Sequence, residues 1–295
     1  MSTGDSVADL VGRLTNWLHR LMPAGERVDR LTGDLREEFG DATDPVTAGT
    51  CRAVERCAWR HSRHLELHFD PAGSAAPDEE QHGWPPVDPA AVRARAAGVS
   101  AVRRLDDGTC VIAVDALESL SVAEPCLAGA LALAAHASRL VLDLRANGGG
   151  DPATVAYIAG RLLGDDARHL SDVTYHDRTR QWWTADRPPG TALTQPVAVL
   201  VAPHTYSSAE ALAYHLQARG RVTVVGERTR GAADHVTPIQ LTPKVLGFLP
   251  EAVVRDAASG GNWEGTGVVP DVVCAPEKAL EVATRADSRI TGVGS

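Results

Sequence analysis

From about Ser6 to Met22, apolar side chains recur every three or four residues, at Val7, Leu10, Val11, Leu14, Trp17 and Leu18, until Pro23 ends the run. That period puts one apolar face on an amphipathic helix. Val28 to Phe39 repeats the signal through Leu31, Leu35 and Phe39, and a third helix is expected after Asp44-Pro45, with the proline in its first turn. A three-helix unit therefore opens the chain. From Pro71 to Pro89 the stretch PAGSAAPDEEQHGWPPVDP sustains neither a helical nor an alternating pattern and reads as a linker or excursion.

Beyond it, short β-branched runs alternate with longer helical ones: CVIAVDAL, a helix from about Ala123 to Ser138, LVLDLRA, a helix from about Pro152 to Leu163, VAVLVAP, a helix from about Ser208 to Arg219, and VTVVGE. Such alternation predicts an α/β fold with mainly parallel strands. LVLDL and VAVLV are nearly continuous apolar runs, as expected for strands covered on both faces. Val236 to Val254 reads as a hairpin turning at Thr-Pro, and Pro276 to Arg285 as a last helix. The expected organisation is a helical unit over 1–70, a linker over 71–96 and an α/β core over 97–295.

The 295 residues carry 38 acidic against 29 basic side chains, a net charge of −9. This balance argues against a nucleic-acid partner, which needs clustered Lys and Arg. No basic segment leading into an apolar run opens the sequence, and no apolar stretch is long enough to span a bilayer, so no membrane partner and a cytoplasmic location are expected. The five cysteines, Cys51, Cys57, Cys110, Cys126 and Cys274, fit neither a zinc site nor a disulfide scaffold and are expected as buried, reduced thiols. Only two lysines are present, Lys244 and Lys278.

Two junctions could carry chemistry. LVLDLRA runs into Asn147-Gly148-Gly149-Gly150 and then Asp151-Pro152, which opens a helix. Glycines there let a ligand approach backbone N–H groups beside a helix N-terminus, as an oxyanion hole requires, although a tight strand-to-helix turn uses the same residues. VAVLVAP ends in His204-Thr205-Tyr206-Ser207-Ser208-Ala209-Glu210, again entering a helix. A serine at that junction suits a nucleophile, and equally suits a helix N-cap.

Taken together, LVLDLRANGGGDPATVAYIAGRLL, YHDRTRQWW, VAVLVAPHTYSSAEALAYHL, VVGERTRGAADH and NWEGTGVVPDV resemble the tail-specific (C-terminal processing) serine peptidase family. Within it they resemble the branch similar to the repeats of interphotoreceptor retinoid-binding protein. The matching segments span roughly 98 to 285, and WRHSRHLELHFDP also looks like the family's N-terminal module. The resemblance implies a crotonase-like α/β core behind a helical module, with no segment left over for the PDZ module that many members insert. It implies Ser207 as nucleophile, three positions before Glu210, and an oxyanion hole from the Gly148-Gly149 loop and Ser208.

The general base is where this chain departs from the family. Many members pair the serine with a lysine just after the G-E turn, where this chain has Gly231-Ala232-Ala233. A Ser–Lys dyad would then need Lys244 to reach in from the following hairpin. Other members resemble a Ser–His–Glu arrangement; Glu264 matches their acidic residue, but Ala113 stands where their histidine is expected. His64 and His235 are the remaining candidates for the base.

His61, His64 and His68 invite a metal site, since imidazoles at i and i+4 share a face on a helix and also on a strand, and Glu66 could join only on a strand; yet no H-E-x-x-H or cysteine-rich partner accompanies them, so neither a metal nor another cofactor is expected. Trp182 is a candidate for lining a substrate groove, with Trp183 beside it in a loop. Arg145 is expected to pair with Asp143 or Glu210, and Arg228 and Arg230 to belong to a solvated turn. Three functions follow: a serine hydrolase acting on peptides, a non-proteolytic member binding a small hydrophobic or acyl ligand in the same cleft, and, by analogy of fold, a biosynthetic enzyme whose oxyanion hole stabilises an enolate.

Overall fold

Ser6 starts the first helix by a reciprocal cap: its hydroxyl accepts the Asp9 N–H at 3.1 Å while the Asp9 carboxylate accepts the Ser6 N–H, also at 3.1 Å. The computed structural model describes residues 6–73, 84–186 and 189–285. Along the chain run α1 (Val7–Leu21), α2 (Glu26–Phe39), α3 (Ala48–Ala58), β1 (Glu66–Phe69), α4 (Pro89–Ala94), β2 (Val99–Arg104) and β3 (Thr109–Val114). There follow α5 (Leu120–Leu133), β4 (Arg139–Asp143), α6 (Pro152–Leu162), β5 (His169–Thr174), β6 (Thr179–Trp183), β7 (Val197–Val201) and α7 (Ser208–Ala218). Next come β8 (Thr223–Gly226), β9 (His235–Thr242), β10 (Val245–Asp256) and β11 (Val272–Val273), then a 3₁₀ turn (Pro276–Lys278) leading into α8 (Ala279–Arg285).

The chain forms two compact units that interleave in sequence. Among the described residues, one gathers those up to Pro86 with Asp172–Arg180 and Ala232–Arg255; the other gathers those of Val87–Ser171, Gln181–Gly231 and from Asp256 to Arg285. The sequence reading instead divides the chain into consecutive stretches, because local periodicity does not report which distant strands pair. In the first unit β1 pairs antiparallel with β10, and β10 with β9. The apolar faces of α1, α2 and α3 close over these strands, burying Leu10, Leu14, Leu18, Leu31, Leu35 and Val54 with Ile239, Leu241 and Leu249. Each such leucine contributes roughly 2 kcal/mol through lost apolar exposure.

The second unit holds a six-stranded sheet in the order β11-β8-β7-β4-β3-β2. All neighbours are parallel except β2, which runs antiparallel to β3. This is the mixed α/β fold of mainly parallel strands, with helices ahead of it, that the alternation predicts. Val111, Val141, Ala198, Leu200 and Val225 form one apolar face, against Ala279 and Ala283 of α8. Helix α5 packs on β2 and β3, α7 on β8, and α6 lies between α5 and α7.

Several local expectations are corrected. Helix α3 excludes Pro45: Thr47 caps it in a reciprocal pair with Thr50, and Pro45 lies in an isolated bridge with Ser6. Helix α5 starts and ends earlier than the Ala-rich pattern suggests, since Asp151 Oδ2 takes the Leu120 N–H at 2.9 Å and tight turns over Leu131–Ala137 end it. The aromatic stretch from Tyr175 to Trp183 follows β5 and ends in its neighbouring strand β6, so Trp182 and Trp183 are strand residues and not loop residues. Cys126 is exposed and Cys274 half-buried; only Cys51, Cys57 and Cys110 are buried, and all five are free thiols. Part of the expected linker, residues 74–83, lies outside the described residues.

Candidate active site

Strand β4 leads into a glycine loop whose shape is set by Asn147. This side chain is fully buried; its Nδ2 donates to the Val114 carbonyl at 2.8 Å and its Oδ1 accepts the Gly149 N–H at 2.8 Å. Leu117 grips the other side, its N–H donating to the Gly149 carbonyl at 2.9 Å and its own carbonyl accepting from Asp151 at 2.7 Å. The expectation that Gly149 offers an oxyanion donor is thereby corrected, because its amide is already spent on Asn147. Among the described residues the Gly148 amide has no acceptor.

Strand β7 leads into the second loop. Thr205 closes it, its hydroxyl donating to the Leu144 carbonyl at 2.8 Å and accepting from the Ala202 amide at 3.0 Å. Ser207 then occupies the N-cap position of α7 at φ +53°, a left-handed conformation that a residue with a Cβ rarely adopts. Non-glycine residues held this way cluster at functional sites. The Ser208 hydroxyl donates to the Gly150 carbonyl at 2.8 Å, while its amide, among the described residues, has no acceptor.

The two loops touch. The Tyr206 N–H donates to the Asn147 carbonyl at 3.1 Å, and a Cβ placed on Gly149 would fall 2.7 Å from Ser207 Cβ and 3.0 Å from the Tyr206 carbonyl oxygen. Gly149, at φ +98°, is thus required for both conformation and space. Beneath Ser207, the buried Glu210 carboxylate accepts the Ser207 N–H at 2.9 Å and the Gly231 N–H at 2.6 Å, together with the Thr229 hydroxyl. The Glu264 amide donates to Asn262 Oδ1 at 3.1 Å, and Trp263 beside it is buried.

At the carboxyl ends of β3, β4, β7 and β8 a cleft of about 900 Å³ opens, lined by Asp115, Arg145, Gly148, His204 and Glu227 among others. Trp182 does not line it. Crevices at strand carboxyl ends are where open α/β sheets bind ligands. Arg145 makes a two-point ion pair with Asp143, at 2.8 and 2.6 Å, and not with Glu210. Arg230 lies over the Tyr206 ring, 4.9 Å from its centroid.

In the other unit, His64 is 7% exposed and its Nδ1 bonds to the main-chain carbonyl of Asp234. A carbonyl only accepts, so Nδ1 carries a proton and donates it to Asp234. Asp234 is itself fixed: Arg27 reaches both of its carboxylate oxygens, one at 2.9 Å, and Ser62 donates to it at 2.7 Å. His235 faces the Tyr175 hydroxyl across 3.4 Å. His61 bonds to Asp34 at 2.8 Å and His68 to Glu66 at 3.3 Å, so the three histidines of this segment have separate partners. Lys244 sits exposed at the β9–β10 turn, and Lys278 is 3.9 Å from Glu281 at the surface.

Sequence reasoning gave no role to Asn147, Thr229 or Asp234. Asn147 leaves a trace, since an Asn two residues before a loop glycine is what an Asx turn requires. Asp234 and Thr229 leave none, because their partners lie far away along the chain.

The fold is shared with solved structures of low identity. A candidate peptidase from Parabacteroides merdae superposes with a TM-score of 0.66 at 16% identity, covering 99% of this chain and 98% of that one. A lipoprotein from Streptococcus agalactiae gives 0.58 at 17% identity, covering 97% of each chain. A candidate S41 protease from Bacteroides fragilis gives 0.52 at 17% identity, covering 67% of this chain and 59% of that one. Residues 116–274, more than half of the chain and the stretch that holds both loops, match Peptidase family S41. The chain therefore belongs to peptidase family S41, the serine peptidase family that includes the tail-specific, C-terminal processing enzymes its motifs resemble.

Proposed function

We propose that the chain is a serine hydrolase that transfers acyl groups through Ser207, most simply a peptidase. One observation carries the assignment. Ser207 is held at φ +53° at the head of α7, and the amides of Ser208 and of Gly148, in the loop packed on its turn, have no acceptor among the described residues. Donors held ready in this way cost no reorganisation when an oxyanion forms.

In the proposed reaction Ser207 Oγ adds to the acyl carbonyl and its proton passes to a histidine base, for which His64 is the candidate. The Gly148 and Ser208 amides hold the oxygen that becomes negative. Collapse of the adduct expels the leaving amine or alkoxide, which takes the proton from the imidazolium, and water then repeats the sequence on the acyl-enzyme. Support for His64 over His235 is its burial and its fixed tautomer. Glu264 is assigned to stabilising the imidazolium charge. Peptides and small acyl compounds are the substrate classes this chemistry serves; a small hydrophobic ligand belongs to the alternative in which the cleft only binds.

A pre-steady-state burst with p-nitrophenyl acetate tests the proposal. One equivalent of nitrophenolate per chain is expected, lost in Ser207→Ala and slowed in His64→Ala. A folded protein without a burst would contradict it and favour a ligand-binding role for the cleft.

A further inference from the structure

Glu210 is fully buried in the first turn of α7, and three donors from two separated segments converge on its carboxylate. One oxygen takes the Ser207 N–H at 2.9 Å; the other takes the Gly231 N–H at 2.6 Å and the Thr229 hydroxyl. A helix-capping glutamate needs only the first of these bonds. The other two reach a loop about twenty residues further along, and that loop holds the Glu264 segment in turn. Thr229 Oγ1 accepts the Val268 N–H at 2.7 Å, the Thr229 N–H donates to the Val268 carbonyl at 3.2 Å, and the Gly265 N–H donates to the Gly231 carbonyl at 2.8 Å. The backbones there meet without side-chain spacing: a Cβ on Gly231 would fall 2.8 Å from the Gly267 nitrogen.

We infer that Glu210 is a positioning residue, a buried carboxylate that locks the Ser207 turn and the Glu264 segment to one another through Thr229 and Gly231. The inference extends the proposed role of Ser207 and rests on it for its kinetic consequence, but not for the clamp itself. A carboxylate is the group this junction requires. It accepts at every lone pair, whereas a glutamine would turn an NH₂ toward at least one of the three donors. The three donors and the N-terminal end of the α7 dipole offset the burial of its charge.

The test uses Glu210→Gln, Thr229→Val and Thr229→Ser in the full chain, at a temperature where circular dichroism shows each folded. The second-order rate of Ser207 labelling by a fluorophosphonate should fall at least about tenfold in Glu210→Gln and in Thr229→Val, and recover in Thr229→Ser. Amide hydrogen exchange should accelerate together at Ser207, Gly231 and Val268 in the first two variants. If the folded Glu210→Gln protein labels within about twofold of wild type, or if exchange accelerates at Ser207 alone, Glu210 is only a helix cap and the inference is overturned. If the wild type does not label, the nucleophile assignment fails separately, and the exchange pattern still decides the clamp. Should Glu210→Gln not fold, the Val and Ser pair at position 229 carries the same test.

Discussion

The imidazole of His64 is oriented by the main-chain carbonyl of Asp234, while the Asp234 carboxylate is bonded by Arg27 and Ser62. One buried residue thus uses its backbone to fix a tautomer and its side chain to fix its own position. The carboxylate is 1% exposed and Arg27 30%, so removing the charge leaves a guanidinium facing a neutral amide in a largely dry place. Asp234→Asn should lower stability by about 2 kcal/mol, a figure discounted for the exposure of Arg27, and should slow the ester burst. Urea titration and burst kinetics on the same preparation check both.

Gly149→Ala tests the contact between the two loops. The added methyl would meet Ser207 Cβ at 2.7 Å with the backbone at φ +98°, so strain and a steric clash combine. A loss of about 2–3 kcal/mol is expected, along with labelling of Ser207 that falls further than stability alone explains. Gly148→Ala meets nothing within 4 Å and should be far milder.

Asn147→Ala removes a fully buried side chain that bonds Val114 and Gly149. It leaves the Val114 carbonyl and the Gly149 amide unsatisfied, which costs about 1–3 kcal/mol for each buried group not reached by water. Thermal unfolding should report the loss, and Asn147→Asp should recover only the Gly149 bond.

A buried His215–Asp256–Arg219 cluster predicts the response to acid. Burial pushes the His215 imidazole below its ordinary 6.5, outweighing its bond to Asp256, so the folded state keeps it neutral where the unfolded state takes up a proton. For Asp256 burial acts to raise the carboxyl, but bonds from His215, Arg219 and the Ser259 amide outweigh it and hold it below its ordinary 3.8. Stability should therefore begin to fall as pH drops through about 6.5 and fall again below about 3.8, because in each range the unfolded chain binds the extra proton. In melting profiles against pH, His215→Gln should flatten the first decline and leave the second.

Thiol accessibility separates the cysteines. Burial pushes the Cys51 thiol up to about 11 and, with help from Glu38, that of Cys57 up to about 12, and Cys110 is raised as well. Cys126 is exposed. A maleimide under native conditions should add first to Cys126, then slowly to Cys274, and reach the other three only on unfolding, as intact mass will show.

The central sheet was legible because its strands are apolar runs between helical periods, a pattern that parallel pairing imposes. β2 was not, since Val99–Arg104 mixes apolar and basic residues at a sheet edge. β5 and β6 were hidden by charged and aromatic residues that carry no clear alternation. At the site, Ser207, Ser208 and the glycine loop were visible as motifs. What the motifs do not reveal is which amides are already used. That the Gly149 amide is bonded to Asn147, while the Gly148 amide has no acceptor among the described residues, depends on one side-chain rotamer in the folded chain. The setting of His64 was illegible for the same kind of reason: His64 and Asp234 stand 170 positions apart, and their bond involves a main-chain oxygen present at every residue.

The most direct measurement is fluorophosphonate labelling of the native protein beside Ser207→Ala, with intact mass reporting the adduct. One adduct per chain, absent from the alanine variant and slowed by His64→Ala, is the predicted result. A folded wild-type protein that takes up no adduct, or an adduct that persists when Ser207 is removed, would contradict the account.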